Sequence, residues 1–351
     1  MAQRIVNIGV TGLNAIDSPG PGVPVIRGLR EAGSFNARII GLAYESLEPG
    51  IYMDGIADKT YLIPYPSAGT DMLLSRLEYI HAREHLDVII PNFDAELYSF
   101  IKLEPALKKL GISLFLPSIE QFEERHKVNL ESFGQKYDLE VPESKAVISP
   151  SEMVKVARQM GFPVMVKGKY YDAYPANNPE QAKEYFGKIS AKWGLPIIVQ
   201  RFVSGTELNL TGLGDGQGNT LSAVGMRKQF ITDKGKAWAG ITIHDDRLTE
   251  MAERFVSATR WRGGFEMEVM KSTDNTYYLM EINPRIPAWI YLAVAVGHNI
   301  PEGVVNLALG RGVKPFGPYE AGKMFIRYAY DMIVPRERFE MLSVHGELEK
   351  K

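Results

Sequence analysis

Two stretches of this chain carry side chains that suit chemistry: Gly264-Phe-Glu-Met-Glu-Val-Met270 and Tyr277-Tyr-Leu-Met-Glu-Ile-Asn-Pro-Arg285, on either side of the turn residues Asp274-Asn275. Two strands joined there by a two-residue loop place Glu268 opposite Glu281 and Glu266 opposite Asn283. Strand side chains alternate between faces, so these residues share one face. Directly opposed like charges destabilise a sheet. A cation between them reverses the sign. Oxygen donors with no His or Cys nearby suit Mg2+, which also takes oxygens from phosphate. Arg285 follows at the same strand parity, where a guanidinium grips phosphate bidentately.

The elements that must position them fall into blocks. Residues 1–117 alternate strands (4–10, 37–43, 59–63, 87–90, 112–116) with helices (25–32, 71–85, and one capped by Asp94 and running to 110 with a kink at Pro105). Such alternation implies a parallel sheet covered by helices on both faces. The loop 11–22 lacks the Gly-x-Gly-x-x-Gly spacing of dinucleotide sites. It follows the first strand, where open α/β sheets bind ligands. With Pro91-Asn-Phe-Asp94-Ala-Glu96 it is a candidate pocket for an acceptor substrate.

A second block, 118–195, mixes helices at 118–125, 128–136 and 150–160 with a strand at 163–167. A third, 196–330, is β-rich, with turns at 214–219 and 233–235, a helix at 247–259 and the hairpin 264–282. The polar tail 331–351 is expected to fray at its end. The fold class is α/β and α+β, with the first block Rossmann-like.

Composition narrows the function. The 351 residues hold 40 Lys+Arg against 42 Asp+Glu, which argues against a nucleic-acid or membrane-surface binder. With no cysteine, disulfides, thiolate nucleophiles and zinc–sulfur sites are excluded. The longest uncharged apolar run, 288–296, falls far short of the roughly 20 residues that span a bilayer. These features read as a cytoplasmic protein. His81-Ala-Arg-Glu-His85 has the spacing of a helical zinc pair, but Leu73, Leu74, Leu77 and Ile80 already make this an ordinary amphipathic helix, and no third ligand accompanies it.

Glu281-Ile-Asn283-Pro-Arg285 after Gly264-x-x-x-Glu268 resembles the metal-binding end of the ATP-grasp superfamily, in particular carbamoyl-phosphate synthetase large subunits and related carboxylate–amine ligases. The likeness covers about residues 4–310. His126-Lys127 before Tyr137-Asp-Leu-Glu-Val-Pro142 resembles the first lysine-bearing helix. Gly161-Phe-Pro-Val-Met-Val-Lys167 resembles the strand with the second lysine, and Val199-Gln-Arg-Phe-Val-Ser-Gly-Thr-Glu207 resembles the hinge. The resemblance implies a Rossmann-like domain followed by two subdomains that clamp ATP. It assigns Glu268, Glu281 and Asn283 to Mg2+, with Mn2+ as a substitute. Lys127, Lys167 and Lys169 go to phosphate, Gln200, Arg201, Phe202 and Val203 to adenine, and Glu207 to ribose. Arg285 and one of Arg227 and Lys228 are the catalytic cations; adjacent strand residues face opposite ways, so both cannot enter the site. Where many members have a Gly/Ser-rich lid, this chain has Lys167-Gly-Lys-Tyr-Tyr-Asp-Ala-Tyr174.

The reading is an ADP-forming ligase that joins a small-molecule or peptide carboxylate, activated as an acyl phosphate, to an amine. Its alternatives are an ATP-binding regulatory or structural protein with a degenerate site, and carboxyphosphate or other kinase-type transfer. A homodimer is compatible with it.

Overall fold

The computed structural model describes residues 4–14, 19–169, 172–232 and 235–349. These divide into two compact units. One holds the residues up to Ile119 with Asn209–Glu266 and those from Asn283 onward. The other holds Glu120–Leu208 with Met267–Ile282.

In the first unit, strands Lys59–Leu62, Asn36–Ala43, Ile5–Val10 and Val88–Ile90 lie side by side in that order, all parallel. Val6, Ile8, Val10 and Ile39 are fully buried, the apolar run expected of a parallel strand covered on both faces. The crossover helices are Gly22–Arg30, Thr70–Glu84 and Asp94–Lys109. The last runs on through Pro105 and starts at Asp94 itself. Its cap is Phe93, whose N–H donates to Glu96 at 3.0 Å. Asp94 is therefore not the cap, and its carboxylate is used elsewhere.

One expectation for this unit needs correction. Residues 112–116 form no strand: Ser113 makes a single bridge to Val88, and the Leu114 and Leu116 carbonyls accept from the Arg262 guanidinium at 2.9 and 2.8 Å instead. The tail forms the helix Arg336–His345 and the strand Glu347–Glu349, which pairs antiparallel with Lys59–Leu62; its last two residues lie outside the described ones. Leu342 and Leu348 are buried there, and the sheet edge is covered.

The second sheet runs Tyr277–Asn283, Arg262–Ser272, Gly205–Asp215, Thr220–Ile231, Ala237–Ile243, Met324–Ile326. Helix Asp246–Thr259, capped by the Asp245 carboxylate on the Leu248 N–H, brings Phe255 against Trp261 and Phe265. Gly263 has φ 102°, and a Cβ there would lie 2.7 Å from the Phe115 carbonyl, so the chain enters the acidic hairpin through a position that needs glycine. Of the expected turn at 233–235, Asp233 and Lys234 lie outside the described residues.

The third sheet, in the second unit, orders Ser144–Val147, Ile197–Arg201, Val164–Lys167 and Ala173–Ala176, all antiparallel. Helices Pro150–Met160 and Pro179–Trp193, capped by Ser149 and Asn178, bury Met153, Ala157, Phe186 and Ile189 with Val164 and Val199. Tyr174 belongs to this sheet and stacks on Tyr185, so it is not a lid residue. Tyr170 and Tyr171 lie outside the described residues.

Candidate functional site

Lys127, in the short turn Lys127–Asn129, places its ammonium 2.9 Å from Glu281 Oε2. Lys167 ends the strand Val164–Lys167 close to the same groups. Burial pushes the Lys167 ammonium down to about 8, and the charge of Lys127 pushes the same way; Glu281, Glu268 and Glu207 oppose them. The second unit thus gathers two lysines and three carboxylates that stand far apart in the sequence. The two cations raise each other's energy, and the carboxylates around them offset it.

In the first unit Glu266 is a buried hub. Its Oε1 accepts from Asn209 Nδ2 at 3.0 Å and Trp289 Nε1 at 2.6 Å, and its Oε2 from Asn283 Nδ2 at 3.1 Å. These bonds fix the Asn283 amide with its nitrogen toward Glu266. Arg285 donates from Nε to Asp94 Oδ2 at 2.8 Å, with its other arm 3.9 Å from Glu266. Arg327 lies in the field of Glu266 and donates to the Ala237 and Ala288 carbonyls at 2.7 and 3.0 Å. Burial pushes Arg327 down to about 10, against the pull of Glu266.

The hairpin differs in detail from its expected form. Ser272 N–H donates to the Thr276 carbonyl, Asn275 N–H to the Ser272 carbonyl, and Asn275 has φ 68°. The loop has three residues, 273–275, a type I turn followed by a left-handed residue. That alone would shift the register by one. However, the buried positions run Tyr277, Leu279, Ile282, so the alternation slips by one residue between Leu279 and Ile282, as a bulge does. Glu266 and Asn283 meet as expected for that second reason.

Among the other expected residues, Gln200 is buried and donates to Ser144 Oγ at 2.9 Å, so its side chain is held inside its own sheet. Arg201 is exposed and paired with Glu143 through both its N–H and its guanidinium. Phe202 is exposed, while Val203, Glu207 and Lys169 are half-buried. Arg227 is exposed and Lys228 half-buried, its ammonium 3.3 Å from the Gly235 carbonyl. Lys228 shares the strand parity of Met226, which packs with Trp289. Sequence reasoning missed Asn209, Asp94 as the Arg285 partner, and Arg327. Asp94 stood out only as a helix cap and part of a candidate pocket, and nothing in the sequence tied any of the three to its partner.

Among the described residues no three His, Asp or Glu side chains form a group able to hold a metal ion. Two carboxylates beside two lysines fit Mg2+ arriving on a polyphosphate, since Mg2+ is commonly held by one or two carboxylates plus substrate phosphates.

A family model described as ATP-grasp in the biosynthetic pathway with Ter operon matches residues 195–328. The carbamoyl phosphate synthase large chain of Agathobacter rectalis is 23% identical over 276 residues, 75% of this chain and 25% of that protein. The C-terminal section of the Aquifex aeolicus large chain is 22% identical over 282 residues, 75% of this chain and 50% of that one. The chain thus spans half or less of the length of these curated relatives. Biotin carboxylase from Campylobacter jejuni superposes with TM-score 0.69 at 16% identity, over 88% of this chain and 71% of that one. L-amino acid ligase from Bacillus licheniformis gives 0.66 at 18%, over 88% and 75%. Residues 195–328 thus match an ATP-grasp family model, and the chain has the fold of these ATP-grasp structures.

Proposed function

We propose that this chain is an ADP-forming ligase: it phosphorylates a carboxylate with ATP and passes the acyl group to an amine. The observation that carries this reading is the gathering of Lys127 and Lys167 beside Glu268 and Glu281. The named activities of the relatives, a synthase, a carboxylase and a ligase, support it.

The roles follow from charge. Lys127 and Lys167 take the polyphosphate oxygens, which relieves the repulsion between them. Glu207 accepts from ribose hydroxyls, and the main chain of 201–203 meets adenine. Mg2+ held by Glu268 and Glu281, with Asn283 next on the same strand face, would neutralise phosphate charge. Glu266 is a positioning residue that holds Asn283. Arg285, oriented by Asp94, steadies the transferred phosphoryl group and the oxyanion that forms when the amine adds. The carboxylate oxygen attacks the γ-phosphorus and ADP departs; the amine then displaces phosphate from the acyl carbon. This chemistry is mostly positioning and electrostatics.

The test is thermal unfolding with ATP, with and without Mg2+, on wild type and Glu281→Ala, followed by product analysis. A ligand that binds only the folded state adds about 2.7 kcal/mol at a hundred times its dissociation constant. The expected result is a Mg2+-dependent shift lost in the variant, with ADP and phosphate released. AMP and pyrophosphate as products would overturn the mechanism.

A further inference from the structure

The strand Met324–Ile326 ends the second sheet. It pairs antiparallel with Ala237–Ile243, and among the described residues no strand lies on its other side. Arg327 continues that pairing, its N–H donating to the Trp238 carbonyl at 2.9 Å. Backbone groups alternate in direction along an antiparallel strand, so Ile326 and Tyr328 turn their N–H and C=O groups to the open edge. Side chains alternate as well. Met324, Ile326, Tyr328 and Tyr330 are 50, 71, 76 and 60% exposed, and Tyr328 stacks on Tyr330 with ring centroids 5.6 Å apart. Phe230, 64% exposed, joins this row: it lies opposite Ala239, which lies opposite Ile326, so the two share a face.

Sheet edges are commonly blunted by lysine, by proline or by a covering segment. The strand Glu347–Glu349 covers the edge of the first sheet in this way. The edge at Met324–Ile326 lacks such protection. From Met324 to Val334 the sequence holds no lysine or proline and only two charged residues, Arg327 and Asp331. The Arg327 guanidinium turns inward, to the Ala237 and Ala288 carbonyls at 2.7 and 3.0 Å. At roughly 150–250 Å² per aromatic residue, the five exposed side chains offer apolar area approaching the about 800 Å² that each partner of a standard interface buries. Contiguous apolar patches of that size mark interaction sites.

An open edge of this kind fits a second copy of itself. A two-fold axis across it runs the same strand in opposite directions and gives both partners the same patch. We propose that the edge formed by residues 324–330 is a homodimer interface, in which the two strands pair antiparallel about Tyr328 and join the two sheets into one. Centring the axis there pairs the exposed row with itself. The two Tyr328 residues stand opposite one another, and Ile326 stands opposite Tyr330 of the second copy. Aromatic and aromatic–β-branched pairs across strands are stabilising. Arg327 falls opposite Ala329 and Asp331 opposite Phe325, so no like charges are opposed.

The test is sedimentation velocity on the full chain across a concentration series, without nucleotide, so the result does not depend on the ligase reading. The expected result is a monomer–dimer equilibrium. Ile326→Lys and Tyr328→Lys put a charge into the row and should raise the dimer dissociation constant about tenfold or more, with circular dichroism unchanged. Val344→Lys, at an equally exposed apolar position off the row, should leave that constant as in wild type. The chain has no cysteine. Opposed hydrogen-bonded residues have Cα atoms about 5.5 Å apart, within disulfide reach, so Tyr328→Cys should close a covalent dimer on mild oxidation and Val344→Cys should not. A wild type that stays monomeric across the series, lysine variants that dimerise like it, or no covalent dimer in Tyr328→Cys would overturn the proposal.

Discussion

Lys127 Nζ lies 2.9 Å from Glu281 Oε2, an ion pair within the second unit. In the proposed ligase, Mg2+ on a polyphosphate would offer both groups a new partner at once. Each side chain is about a quarter exposed, so the pair itself contributes little to stability, about 1 kcal/mol or less. Lys127→Met should therefore lower kcat/KM for ADP release by about a hundredfold or more while barely moving the unfolding midpoint. Steady-state ADP release and denaturant titration on the same variant check both halves.

Lys167 predicts a pH dependence with a definite sign. Its folded pKa is about 8, below the 10.5 of a free lysine. Between those values the unfolded chain binds more protons, so this group makes stability rise with pH in that window. Below about pH 8 the folded protein carries the full cost of holding this half-buried charge. Lys167→Met should stabilise the protein near pH 7, flatten its stability between pH 8 and 10.5, and abolish stabilisation by Mg2+–ATP. Denaturant midpoints across that range, with and without nucleotide, read all three.

Glu266 accepts from three side-chain donors. Glu266→Ala removes the acceptor of Asn209, Asn283 and Trp289 and should cost about 3 kcal/mol or more, at about 1–3 kcal/mol per lost buried partner. Glu266→Gln should recover part of this, since one end of the amide still accepts while the other meets a donor. Urea unfolding of both variants tests the order: wild type, then Gln, then Ala.

Removing residues 336–351 strips Leu342 and Leu348 from the core and exposes the Lys59–Leu62 edge. Two buried leucines at about 1.5–3 kcal/mol each give a loss of about 3–6 kcal/mol. Hydrogen exchange should show lost protection in the first sheet. An unchanged exchange pattern would show that the tail adds nothing.

Periodicity and residue type made several features legible in the sequence alone. The apolar strands of the first sheet, the helix after Ser149 and the acidic hairpin all carry their signals locally, whereas the helix Pro179–Trp193 was not anticipated. The match of residues 195–328 to an ATP-grasp family model was legible too, because motifs such as Glu281-Ile-Asn283-Pro-Arg285 are short runs of adjacent residues.

What the sequence determined by itself is which residues carry charge and which face of a strand they occupy. The tertiary structure decided their partners. Arg285 binds Asp94, 191 residues away in the chain; Glu266 binds Asn209, 57 residues away; Arg262 takes the Leu114 and Leu116 carbonyls and so ends a strand that apolar content alone would continue. Even the Glu266–Asn283 match depends on a loop longer than expected and a slip in alternation that offsets it. Period and propensity are properties of neighbours in sequence. Hydrogen bonds and ion pairs depend on distances of a few ångströms, and those are set only when distant segments pack together.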